Sequence, residues 1–88
     1  MNSKLFSETL ASVISSISSS TFNVSSKILV GKSCDVKISE GKVIVRIGDD
    51  TYSNEIISPN YVKIKDSSSN CPNTFITIKK VGDEVWIE

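Results

Sequence analysis

Two cysteines, one aspartate pair and one asparagine sequon are the residues of this 88-residue chain whose types point to chemistry. Cys34 and Cys71 lie far apart, and no histidine occurs anywhere. That pair fits no zinc motif, which needs four closely grouped nitrogen and sulfur ligands. Two readings remain open: two free thiols, or one disulfide joining them. A chain of this length buries only ~60–65% of its unfolded surface, so its core is thin and a covalent staple is useful. That need favours a Cys34–Cys71 disulfide, and with it an oxidising compartment. The aspartate pair is Asp49-Asp50. It follows Gly48 in a turn signal, where aspartate is favoured for local backbone bonding. Calcium would require several more oxygen ligands at loop spacing. Asn23-Val24-Ser25 is an N-glycosylation sequon, so Asn23 is a candidate glycan acceptor if the chain is exported.

The absences narrow the function class. Without histidine there is no imidazole base and no histidine-based triad. The four glycines are scattered and form no phosphate-cradling loop. Nothing near Cys71 in the sequence would lower a thiol pKa. The expectation is therefore no enzyme, no metal and no cofactor. Ten basic and ten acidic residues give zero formal net charge, whereas a nucleic-acid binder carries a basic excess. Nine of the ten cations are lysine, with Arg46 the exception, and a phosphate reader would more often use arginine. No nucleic-acid partner is expected. The N-terminus lacks the apolar run of a signal peptide, and no segment is long and apolar enough to span a membrane.

The elements that carry these residues read as an α+β fold in a single domain, residues 1–88. Leu5 or Phe6, Leu10, Val13 or Ile14, and Ile17 recur at spacings of three and four. They predict one amphipathic helix over about residues 2–19. Ser3 is placed to cap it, and Glu8 to sit in an early turn. Ser7, Ser12, Ser15, Ser16 and Ser19 are assigned to the polar face. Serine is a mediocre helix former, so the segment must be held by what it packs on. Ala11, Ser12, Ser15 and Ser18 would let a partner helix approach closely.

Residues 24–88 read as an antiparallel meander of five to six short strands. Cys34, Val36 and Ile38 alternate with polar residues, Glu40-Gly41 turns the chain, and Val43, Val45 and Ile47 line the return strand. Val24–Val30 reads as a first strand or an irregular bridge, and further strands are expected at Thr51–Ile57, Tyr61–Lys65, Thr74–Lys80 and Glu84–Glu88. Asp66–Asn73 is expected to be the longest loop. One sheet face is aliphatic and should receive the helix. The other gathers Ile44, Tyr61, Phe75 and Trp86. Cross-strand pairing accounts for such a cluster, and so does a partner contact face at Tyr61, Phe75 and Trp86.

The serine-rich helix, Cys34-Asp-Val-Lys-Ile, Lys42-Val-Ile-Val-Arg-Ile, Thr51-Tyr-Ser-Asn, Phe75-Ile-Thr-Ile-Lys-Lys and Val85-Trp-Ile together resemble the ectodomain of archaeal type IV pilin-like proteins. The likeness is one of pattern and covers most of the chain. It implies a non-catalytic structural subunit or minor component of an archaeal surface filament, acting in adhesion or assembly. Localisation would be extracellular, at the cell surface. In that family a hydrophobic N-terminal helix half packs in the filament core, and the β domain faces outward. This sequence has neither the processing site nor that hydrophobic half. Contact with other subunits would run through the N-terminal helix, membrane contact only through the absent segment, and the soluble domain would be monomeric. The alternative is a small intracellular, cytoplasmic β-rich protein-binding module.

Overall fold

A computed structural model describes residues 3–29, 34–70 and 75–88. Cys71, the end of the expected first strand at Val30 and the start of the expected strand at Thr74 lie outside the described residues. So does the Ser3 side chain with its expected cap. Helix α1 spans Ser3–Ser18. Its apolar stripe is Phe6, Leu10, Ile14 and Ile17, all buried, while Val13 is half-buried and Leu5 exposed. Glu8 falls in the second turn, and the first turn carries no acid, so the expected dipole contact is weaker than its early position suggested.

The β region is two sheets, not one meander. Its strands are β1 Val24–Leu29, β2 Asp35–Ser39, β3 Lys42–Ile47, β4 Asp50–Glu55, β5 Lys63–Ile64, β6 Ser67–Asn70, β7 Phe75–Val81 and β8 Glu84–Ile87. The first sheet has the order β1-β7-β8-β5 and the second the order β4-β3-β2-β6. Helix α1 lies mainly on β3 and β4 of the second sheet and also touches β7 of the first. One buried cluster runs through the helix stripe, Val36, Ile38, Val43 and Val45 of the second sheet, and Ile76, Ile78, Val85 and Ile87 of the first.

The expected β2–β3 hairpin forms with Ser39 opposite Lys42. Glu40 and Gly41 both take positive φ, 52° and 74°. Two successive left-handed residues match the twist of the flanking strands, which is why a two-residue loop needs Gly at its second place. The Glu40 N–H donates to Asp66 Oδ1 at 3.2 Å, tying the turn to the approach of β6.

Two expectations fail in the second half of the chain. The meander would make every neighbour antiparallel, yet β5 pairs with β8 in parallel, Ile64 opposite Val85. The chain leaves the second sheet after β4 and crosses through Pro59, so β5 joins the first sheet running beside β8. Alternation of side chains is the same in parallel and antiparallel strands and could not reveal this. The second failure is Asp66–Asn73, expected as a loop. Its Ser67–Asn70 part is strand β6, paired with β2 from Ile38↔Ser67 to Asp35↔Asn70. Serine and asparagine have poor strand propensity, and a ready partner strand overrides it. The small side chains also let β6 sit against β8, where Ser67 Oγ accepts the Ile87 N–H at 3.1 Å and links the two sheets.

Candidate functional site

The outer face of the first sheet carries most of the residues singled out for partner contact. Inner and outer residues alternate along β7, with Ile76, Ile78 and Lys80 buried and Phe75 exposed. Lys80 is only 4% exposed. Its stem lies along the inner face and its ammonium donates to Gly82 O at 2.8 Å. On the outer side, Lys79 stands opposite Trp86, and Lys27 opposite Thr77.

Each aromatic on this face is engaged by a lysine. Lys27 Nζ lies 5.7 Å from the Phe75 ring centre, and Lys65 Nζ lies 5.1 Å from that of Trp86. Trp86 Nε1 donates to Glu88 Oε1 at 3.1 Å, and Lys79 Nζ is 3.3 Å from the same oxygen. Those two contacts, the Trp86 bond first, hold the Glu88 carboxyl below its ordinary value. Lys65 also meets Glu84 at 3.8 Å. The expected cluster of Ile44, Tyr61, Phe75 and Trp86 is therefore not one patch. Ile44 belongs to β3 of the other sheet. Tyr61 is 65% exposed and stands in the turn before β5, at the β7–β8 turn end of the first sheet. Phe75 and Trp86 share a face, but three residues separate Phe75 from Lys79, the partner of Trp86.

A second set of polar residues works at the helix–sheet seam, and sequence reasoning misplaced it. Ser7 was assigned to the solvent face and is fully buried. Its hydroxyl lies 2.8 Å from Lys4 O and 2.6 Å from Asn54 Oδ1 on β4. Ser15 donates to Ala11 O at 2.7 Å and accepts the Ile57 N–H at 3.0 Å. Ser18 is buried as well. Ala11, Ser15 and Ser18, expected to admit a partner helix, instead bring α1 close to its own sheets. The available signal was spacing: Ser7, Ala11 and Ser18 flank Phe6, Leu10 and Ile17 at helical intervals and form the small side of the same buried stripe.

Cys34 is buried immediately before β2 and is disulfide-bonded, so it does not titrate. Its pairing with Cys71 concerns a residue outside those described. Cys34, Asp35, Arg46 and Gly48 line an open depression of about 250 Å3. The Asp35–Arg46 cross-strand ion pair, 2.7 Å long and exposed, crosses it. Among the described residues, no group of three or more His, Cys, Asp or Glu side chains is placed to hold a metal ion. No described helix is long and apolar enough to cross a membrane. No family model matches the chain, and neither the curated proteins nor the solved structures contain a match.

Proposed function

We propose that this chain is a non-catalytic structural subunit or minor component of an archaeal surface filament, similar to a type IV pilin ectodomain. The observation that carries the reading is the way α1 is mounted. Its apolar stripe and its small-residue flank are both used against the β strands, and Ser7 and Ser15 fasten it by hydrogen bonds to β4 and to the segment after it. A helix held along its length in this way is a rigid stem that transmits force from an N-terminal extension to the β region. The disulfide at Cys34, assigned here to Cys71, supports the same reading, because such bonds persist in oxidising compartments. The outward work of adhesion or packing falls to the first sheet's lysine–aromatic face and the turns at its end.

The test is location and connection. Antibody raised against the β region should label intact cells of the source organism, and the protein extracted without reductant should show no titratable thiol after denaturation. Labelling only after lysis, together with two free thiols, would sink the filament reading. That pair of results would favour the cytoplasmic binding module, acting through Tyr61 and Phe75.

A further inference from the structure

The sequon and two exposed hydrophobic side chains, Phe22 and Val81, meet at one place, the β7–β8 turn end of the first sheet. Asn23 precedes β1 and is exposed, as is Ser25 two residues on. The Gly82 N–H donates to the Asn23 side-chain oxygen at 2.9 Å. A backbone N–H can only donate, so this bond fixes which end of the amide is which: Oδ1 faces the turn and Nδ2 faces away from it. The chain neighbours of the two bonded residues are Phe22, 77% exposed, and Val81, 51% exposed. Tyr61 stands at the same end, in the turn ahead of Lys63, whose N–H donates to Asp83 O at 2.7 Å. Tyr61, ahead of β5, is at the opposite edge of the sheet from β1, so the exposed apolar groups beside the sequon are Phe22 and Val81, which are costly to leave in water.

We propose that Asn23 is the acceptor of an N-linked glycan whose first sugars lie over Phe22 and Val81. The occupant suits the site, because a pyranose presents C–H faces to apolar and aromatic side chains and hydroxyls to water. In the transfer step, Asn23 Nδ2 bonds to the anomeric carbon of a lipid-linked oligosaccharide. The bond from that carbon to the lipid phosphate oxygen breaks, the phosphate leaves with the electron pair, and Nδ2 gives up one proton. The Gly82–Asn23 bond survives, since it uses the oxygen. β1 is an edge strand, so no described strand flanks the sequon on its outer side. The inference rests on export, as in the reading above.

The experiment supplies export directly, so that it does not depend on where the protein naturally resides. The full chain, carrying a cleavable export signal, is secreted from a host that N-glycosylates, beside Ser25→Ala, which breaks the sequon and keeps the Asn23–Gly82 bond. Wild type should gain the mass of an oligosaccharide, S25A should gain none, and both should be folded, with glycosylated wild type melting no lower than S25A. Enzymatic release of the glycan should leave aspartate at position 23. An apolar fluorescent dye should bind S25A several-fold more than the glycosylated protein, and Phe22→Ser in the S25A background should abolish the difference. Folded, secreted wild type without added mass would overturn the proposal. Added mass with unchanged dye binding would overturn the placement of the sugar on the tip. Either result leaves the filament reading to be decided by cell-surface labelling.

Discussion

At the scale of single residues, the polar side chains that matter most are those whose partners lie far off in sequence. Ser7 has one hydroxyl proton and two acceptors within reach, Lys4 O and Asn54 Oδ1. Turned to Asn54 it pins α1 to β4; turned to Lys4 it closes the helix turn. Ser7→Ala should destabilise the domain by about 1 kcal/mol, because it removes the hydroxyl that joins the buried helix face to the half-buried Asn54 side chain. Chemical denaturation of the two proteins measures it, and an unchanged midpoint would mean that the bond contributes nothing. Glu88 offers a pH-dependent test. Its carboxyl is held below the ordinary 4.5 by the Trp86 hydrogen bond and then the Lys79 hydrogen bond. A depressed folded-state pKa means that the interaction is complete above the unfolded value and is lost as pH falls through the folded one. Trp86 is the only tryptophan, so its fluorescence should shift with a midpoint below 4.5, and Glu88→Gln should remove that transition. A midpoint above 4.5 would contradict the bond.

At the scale of elements, α1 shows what the sequence could reveal and where it stopped. The three–four spacing of Phe6, Leu10, Ile14 and Ile17 identified the helix and its buried stripe, because an apolar side chain has one good place to go. The Ser and Ala positions beside that stripe were ambiguous, since small residues suit a solvent face, a partner helix or a close approach to a sheet. Only the facing strand decides among them. The same limit applies to β6: Ser67–Asn70 has no strand signal of its own, and its hydrogen bonds are supplied by β2. The hairpins were legible because Glu40-Gly41, Gly48-Asp49 and Gly82-Asp83 carry local turn chemistry. The parallel β5–β8 contact was not, because pairing direction leaves no mark on a two-residue strand. Of the candidate partner residues, burial alternation placed Phe75 and Trp86 on one face. The division into two sheets, which separates Ile44 from them, is a long-range fact. The helix stripe gives a quantitative expectation. Leu10 is completely buried in the shared cluster, so Leu10→Ala should cost about 2–4 kcal/mol. A loss under about half a kcal/mol would be the size of an ordinary surface change and would place α1 off the core.

At the scale of the whole molecule, the question is what drives association in a domain proposed to serve a filament. Open sheet edges are the usual hazard, because unpaired N–H and C=O groups recruit another strand. Here β1 presents exposed Lys27 along one edge, and β4 presents exposed Asp50 and Glu55 along another. Strand β5 is two residues long, and β6 sits beside β8. Charged and short edges resist pairing, and balanced net charge gives no long-range attraction between copies. The apolar stripe of α1, the other common source of association, is already used inside the domain. The 88-residue chain should therefore sediment as a monomer of 9.6 kDa even at high concentration. On the filament reading the missing drive comes from an apolar helical segment joined ahead of α1. Fusing ~20 apolar residues in helical register before Ser3, enough to cross a bilayer core, should give detergent-dependent assemblies. The Trp86 fluorescence and the denaturation midpoint of the β region should stay as they are in the short chain. A tight dimer of the unextended chain would defeat this account and move the interface to an edge strand or to the lysine–aromatic face. Variants at Lys27 and Phe75 would then tell those two surfaces apart from a glycan-covered tip at Phe22.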